Sequence, residues 1–234
     1  MSAAGAPGVF VAGTDTGVGK TRVTLGLIRA LRDRGVQANG MKPVASGMIA
    51  KNGLFINEDT HAIAELNAGA CAQADIGPYC FDWAVSPHIA AERAGIVIDL
   101  AVISAAYGRL SNGSGLLVVE GTGGWLTPIG EQATMADVVR ILDLPVVLVV
   151  GMRLGCLNHA LLTAQAIERA GASLIGWIGS VIDPAMPALA ENLATLQQRL
   201  RAPQLALLPH ARDGAQDPAW LAPAALAVEN AVSV

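Results

Sequence analysis

Aromatic side chains make up only 4 % of this 234-residue sequence and charged ones only 15 %, while apolar types reach 53 %. So little charge beside so much apolar content excludes intrinsic disorder, which needs the opposite balance. A core poor in Phe, Trp and Tyr is built from Ala, Val, Leu and Ile. That is the composition of parallel strands covered by helices, and it argues against an all-β sandwich. Lysine and arginine number 15 against 19 acidic residues, the formal charge is −4, and basic residues form no cluster. The electrostatic footprint of a nucleic-acid binder is missing. Long hydrophobic runs are missing too: Ala170 to Ile182 and Pro145 to Met152 fall short of the roughly 20 residues that span a bilayer, so no membrane partner is expected. Three scattered cysteines, Cys71, Cys80 and Cys156, make neither an even disulfide set nor a metal-like pair, and the first residues lack a positive leader. A cytoplasmic protein is expected.

What is present alternates. Residues 9–12 (VFVA) form a short β-branched run, and the helical period after it aligns Val23, Leu27, Ile28 and Leu31 until Gly35. Runs 116–119 (LLVV) and 146–150 (VVLVV), flanked by Gly or Pro, read as central parallel strands. A helix from Asn158 to Arg169 closes at Gly171. A strand over 174–182, a helix over 186–201 and a strand over 204–208 follow. With no repeat, linker or composition break, residues 1–234 are expected to form a single doubly wound α/β domain, its mostly parallel sheet carrying helices on both faces.

Gly13 to Thr21 (GTDTGVGKT) joins the first strand to the first helix, the context of a phosphate-binding loop. Its glycines let backbone N–H groups converge on phosphate oxygens, Lys20 reaches the outer phosphates, and Thr21 offers a hydroxyl to Mg²⁺. Five residues rather than four separate Gly13 from Gly19. Lys42 follows the second strand at the carboxyl edge of the sheet, where α/β folds bind ligands; solvated surface and a second phosphate-facing cation are both open there. Asp59 begins a helical stretch, where a carboxylate complements the helix dipole. Glu120 ends the run LLVV beside Gly121, Gly123 and Gly124, a position that suits a Mg²⁺ ligand facing Thr21 or a structural carboxylate. His88 and His159 receive no role from these patterns, and Cys156 reads as a buried filler.

Taken together, GTDTGVGKT, Met41 to Gly47 (MKPVASG), Ser86-Pro87-His88, Val119 to Trp125 (VEGTGGW) and Arg153 to Gln165 (RLGCLNHALLTAQ) resemble the dethiobiotin synthetase family, in which the lengthened loop is typical. The resemblance implies a P-loop fold and an ATP- and Mg²⁺-dependent ring closure that converts 7,8-diaminononanoate and CO₂ to dethiobiotin. The route it implies runs through a carbamate and a carbamic-phosphoric anhydride. By position, Lys20 and Lys42 would neutralise the γ-phosphate and carbamate, and Thr21, Asp59 and Glu120 would hold Mg²⁺. Thr16 and Ser46 would contact carbamate or diamine. Gly17, Val18, Gly19, Arg22, Gly121, Thr122, Gly123, Ser180, Val181, Pro209, His210 and Ala211 would complete the nucleotide site. Cys156, Leu157 and Asn158 would receive the diamine carboxylate from a neighbouring subunit, which implies a homodimer. Ser180 stands where the family often has Asn, so weaker base selectivity is expected, and Gly17 replaces an acidic residue of some relatives. Two other classes share the fold: partner-switching ATPases, whose signature lysine aligns with Asp15, and cobyrinate-type synthetase domains, which carry a fused glutamine-hydrolysing unit.

Overall fold

The runs richest in Val, Leu and Ile form the centre of a six-stranded parallel sheet. The computed structural model describes residues 7–51, 54–69, 71–112, 115–210 and 218–232. In chain order these comprise β1 (Gly8–Gly13), α1 (Lys20–Asp33), β2 (Ala38–Met41), β3 (Val44–Ser46), β4 (Ile49–Lys51), β5 (Leu54–Ile56), α2 (Glu58–Leu66), α3 (Gln73–Ile76), β6 (Tyr79–Phe81), α4 (Pro87–Ala94), α5 (Leu100–Ser111) and β7 (Leu116–Glu120). Then follow α6 (Met135–Leu142), β8 (Val146–Met152), α7 (Cys156–Arg169), β9 (Leu174–Val181), α8 (Leu189–Arg199), β10 (Gln204–Leu208), a 3₁₀ turn (Pro218–Leu221) and α9 (Ala222–Val232). The sheet order is β10-β9-β8-β1-β7-β2, with every neighbouring pair parallel. Two short ladders, β3 with β6 and β4 with β5, lie outside it. Among the described residues no helix is long and apolar enough to cross a membrane.

Strand alternation sorts the core into two halves. Phe10, Ala12, Leu117, Val119, Leu148, Val150 and Trp177 face one cluster with Ile103, Val138 and Ile167 of α5, α6 and α7. Val9, Val11, Leu116, Val118, Val147, Val149 and Ile178 face another with Val23, Leu27 and Leu31 of α1 and Val228 of α9. Each central strand is therefore apolar on both faces, which is why it reads as an unbroken hydrophobic run. Helix ends follow local chemistry. Asn57 caps α2 by accepting from Thr60 N–H, and Thr134 and Asp137 form a capping box on α6. Expected boundaries move, as two helices show. The helix expected from Asn158 begins at Cys156, because Gly155 adopts a left-handed φ of 95° and turns the chain two residues earlier. The helix expected over 186–201 is shortened to Leu189–Arg199, Leu200 being already extended.

Strand β2 is an edge, yet its outer side is closed. Asn67 is 2 % exposed; its amide accepts from Gly40 N–H at 2.9 Å and donates to Gly40 O at 3.0 Å, as a neighbouring strand would. Arg32 donates to Ala38 O at 2.9 Å and to Leu66 O at 2.7 Å. These side chains blunt an edge that would otherwise offer unpaired backbone. Asn67→Ala leaves both Gly40 groups buried without partners and is expected to cost about 2–4 kcal/mol in urea unfolding; a cost below ~1 kcal/mol would show that the edge tolerates their loss.

Candidate active site

The site forms where β1 lies between β7 and β8, at the carboxyl ends of the strands, the usual ligand crevice of an open parallel sheet. The glycine loop after β1 is pinned from both sides. Thr14 N–H donates to Val149 O at 3.0 Å, and Val18 is buried beneath the loop. Gly17 and Gly19 adopt φ of 73° and 94°, left-handed values that a side chain resists, so the loop curls back on itself before α1 begins. Lys20, 6 % exposed, donates to Asp15 O at 2.9 Å. The Asp15 carboxylate in turn accepts from Thr16 N–H at 2.7 Å and from Arg153, in the β8–α7 connection, at 2.6 Å.

Three further elements bring charge to this loop. Lys42, at the end of β2, is 5 % exposed, and Glu120, at the end of β7, is fully buried. Lys42 Nζ lies 2.7 Å from Glu120 Oε1 and also donates to Asp59 Oδ2 in the first turn of α2. The Thr21 hydroxyl is 2.8 Å from both Asp59 Oδ1 and Glu120 Oε1. Lys42 is thus no surface lysine. Burial alone would pull its pKa down, but Glu120 and Asp59, by charge and hydrogen bond, outweigh that and hold it above the ordinary lysine value. Burial likewise works against the Asp59 anion, and Lys42 with the Thr21 hydroxyl overcomes it, so Asp59 titrates below the usual carboxylate range. Lys20 goes the other way. Burial, helped by the nearby Lys42 charge, pushes it down to about 8 against the attraction of Glu120, Asp59 and Asp15.

A cleft of about 700 Å³ opens over these groups, lined by Thr16, Gly17, Gly19, Lys20, Thr21, Lys42, Ser46, Asp59, Glu120, Thr122 and Gly123. Gly121 is buried just behind it, and the Thr122 hydroxyl donates to Val44 O, tying the loop after β7 to β3. A second group assembles beside the first turn of α1. Arg22 donates to Pro209 O at 2.6 Å and stacks its guanidinium 5.3 Å from the Trp220 ring centre, and His210 Nδ1 lies 3.2 Å from Val181 O. Ser180 is buried with its hydroxyl facing Gly19: a Cβ added there would lie 2.8 Å from it. Ala211 lies outside the described residues. Cys156, Leu157 and Asn158 do not line the cleft. Cys156 is buried, with its thiol pKa raised by that burial, and Asn158 is exposed at the start of α7. Ser86, Pro87, Thr127 and Pro128 also line the cleft, although no sequence pattern assigns them a role. The Ser-Pro pair marks a helix start but not its direction.

A family model described as an AAA domain matches residues 7–216. An ATP-dependent dethiobiotin synthetase of Xylella fastidiosa (strain 9a5c) is 48 % identical over 213 residues, 91 % of this chain and 94 % of that protein. One from Aromatoleum aromaticum is 46 % identical over the same shares of both chains. The chain belongs to the ATP-dependent dethiobiotin synthetase family. Among solved structures, the septum site-determining protein MinD of Pyrococcus horikoshii, complexed with Mg-ADP, superposes with a TM-score of 0.56 at 15 % identity, covering 96 % of each chain. The signal recognition particle receptor FtsY of Elizabethkingia anophelis gives 0.51 at 13 %, covering 95 % of this chain and 65 % of that one. At such identities these neighbours show the P-loop fold alone.

In this dethiobiotin synthetase family member the unfolded chain keeps its Lys20 proton up to about the ordinary 10.5, while the folded chain releases it near 8. Between those values the unfolded state binds more protons, so stability rises with pH; below 8 the full penalty of the buried charge is present. Lys20→Met is therefore expected to be more stable than the parent at pH 7, by on the order of 2–3 kcal/mol, with the gain shrinking from pH 8 to 10. Urea unfolding across that range measures it, and a variant less stable at pH 7 would contradict the sign.

Proposed function

We propose that this cleft joins CO₂ to 7,8-diaminononanoate and closes the ureido ring of dethiobiotin through a carbamate and a carbamic-phosphoric anhydride. The chain is an ATP-dependent ligase of biotin synthesis by its family, and ATP is its co-substrate. The observation that carries the finer reading is the meeting of two buried lysines with two carboxylates and a threonine hydroxyl at the phosphate loop. A carbamate oxygen is a weak nucleophile, and the triphosphate it must approach is a polyanion. The site therefore has to cancel charge and align the attack. Lys42, held as an ammonium by Glu120 and Asp59, neutralises carbamate and γ-phosphate without serving as a base. Lys20 gains a partner when the phosphates arrive, which offsets its burial. The N–H groups of residues 17–21, at the start of α1, take the phosphate oxygens. Thr16 and Ser46 offer hydroxyls to carbamate and diamine.

The donor set fits a hard cation. Thr21, Asp59 and Glu120 present only oxygens, and Glu120 Oε2 is buried with no hydrogen-bond partner among the described residues. Two carboxylates and one hydroxyl suit an ion that takes few protein ligands and keeps water and phosphate. Mg²⁺ held by Thr21, Asp59 and Glu120 would supply charge neutralisation on the outer phosphates.

Arg22, Ser180, Val181, Pro209, His210 and Ala211 would surround the base, with Gly121, Thr122 and Gly123 beside the phosphates. Cys156, Leu157 and Asn158 would receive the diamine carboxylate of a partner subunit in a homodimer. Exposed Leu154 and Asn158, and an α7 start that no side chain caps, support that assignment. The reading places the enzyme in the cytoplasm as a single domain.

The test is phosphate release that requires both diamine and bicarbonate, and turnover of ATP that ignores both would overturn the reading. Lys42→Ala, with its fold checked by circular dichroism, is expected to lose ~10²–10³ in kcat, the usual cost of one electrostatic stabiliser. Glu120→Gln keeps the shape and loses the charge, so calorimetry is expected to show Mg²⁺-nucleotide binding weakened far more than metal-free nucleotide binding. Equal losses would make Glu120 structural.

A further inference from the structure

We propose that Ser86 and His88 form a proton relay that takes the proton shed by the ring-closing amine; this rests on the diamine reading above. Ring closure turns a neutral amine into an amide-like nitrogen, so a proton must leave as the C–N bond forms. The charged groups of the cleft are poorly suited to receive it. Lys42 is an ammonium, Lys20 donates to Asp15 O, and Asp59 and Glu120 Oε1 are engaged with Lys42 and Thr21, while Glu120 Oε2 is the oxygen read above as facing the cation.

Ser86 and Pro87 line the same cleft as Lys42 and Ser46. The turn before them lies against the Ser46–Gly47 segment: a Cβ on Gly47 would come within 3.1 Å of Ala84 Cβ. Ser86 is the N-cap of α4, where a serine hydroxyl ordinarily accepts from the first turn of its helix. Here it caps nothing. The Ser86 carbonyl takes the N–H groups of Ile89 and Ala90 at 3.0 and 3.1 Å, and the hydroxyl lies 3.0 Å from Nδ1 of half-buried His88. With its proton on Nε2, that imidazole accepts from Ser86 at Nδ1.

The step balances with what the reaction supplies. The amine nitrogen attacks the carbonyl carbon of the anhydride, and the C–O bond to phosphorus breaks with its electron pair leaving on inorganic phosphate. The amine proton passes to Ser86 Oγ as the Ser86 proton passes to His88 Nδ1, and the imidazolium returns a proton to water. Ser86 would touch the reacting nitrogen, while His88 acts through it.

The experiment counts ADP and dethiobiotin in the same assay for the parent, Ser86→Ala, His88→Ala and His88→Gln. In all three variants dethiobiotin formation is expected to fall ~10²–10⁴-fold, the usual span of a general base. ADP release is expected to fall less, so the ratio of ADP to dethiobiotin rises above one as stalled anhydride hydrolyses. Added imidazole is expected to restore product in His88→Ala. His88→Gln keeps a hydrogen-bonding group beside Ser86 but takes up no proton, so near-parent turnover in that variant would overturn the relay. A ratio that stays at one without imidazole rescue would overturn it too. A parent that forms no dethiobiotin from the diamine would overturn the reading of the cleft itself and the relay with it.

Discussion

Glu120 ends a central strand with no exposed surface, and a carboxylate so placed has to be paired by the protein around it. Its partner is Lys42, almost as deeply buried, and Lys42 also holds Asp59. The Thr21 hydroxyl closes the group. Four residues, from α1, α2, β7 and the position just after β2, thereby fix one another, and removing Lys42 strands the fully buried Glu120 carboxylate without its ion-pair partner. Breaking a buried pair from one side typically costs ~3–5 kcal/mol, although replacing a whole pair by apolar groups is often neutral. The network is therefore poor evidence of stability for its own sake. It makes sense as a charge arrangement kept ready for a ligand more highly charged than itself.

The sheet supplies the rigidity that such an arrangement needs. Val11 of β1 pairs in register with Glu120 of β7, and Gly13 pairs with Val149 of β8, so the phosphate loop and the carboxylate leave adjacent strands at matching heights. Both faces of those strands are sealed by helices. A shift of one residue would turn every inward side chain to the opposite face, so the register that holds the core also holds the site. The closed outer side of β2 serves the same end, because β2 delivers Lys42.

Legibility from sequence tracked how local each cause was. The central strands were readable because burial on two faces makes them continuous apolar runs, and the phosphate loop because its glycines, lysine and threonine are consecutive. The ladders β3–β6 and β4–β5 are three residues long in each strand, too short for any period to show. Lys42 stayed ambiguous because its partners lie 17 and 78 residues away. The start of α7 lies two residues before the expected one because a left-handed Gly155, not a side-chain cap, begins it. Ser86-Pro87 announces a helix start, but a serine there ordinarily caps its helix, so the pattern does not record that its hydroxyl instead meets His88.

The two lysines of the cleft divide the electrostatic work. Lys42 sits between two carboxylates that outweigh its desolvation, so its charge is settled before any ligand enters. Lys20 is nearly as buried but donates to a neutral carbonyl, and it is repelled by Lys42. Its charge is the unstable one. A polyanion on the loop would favour the Lys20 ammonium directly, while Lys42 would have to share its attraction with Asp59 and Glu120. Under the proposed reaction, Lys20 would respond to the triphosphate and Lys42 would hold the field in which the transferred group moves. Within one cleft the same side chain is driven in opposite directions, down by burial at Lys20 and up by two carboxylates at Lys42.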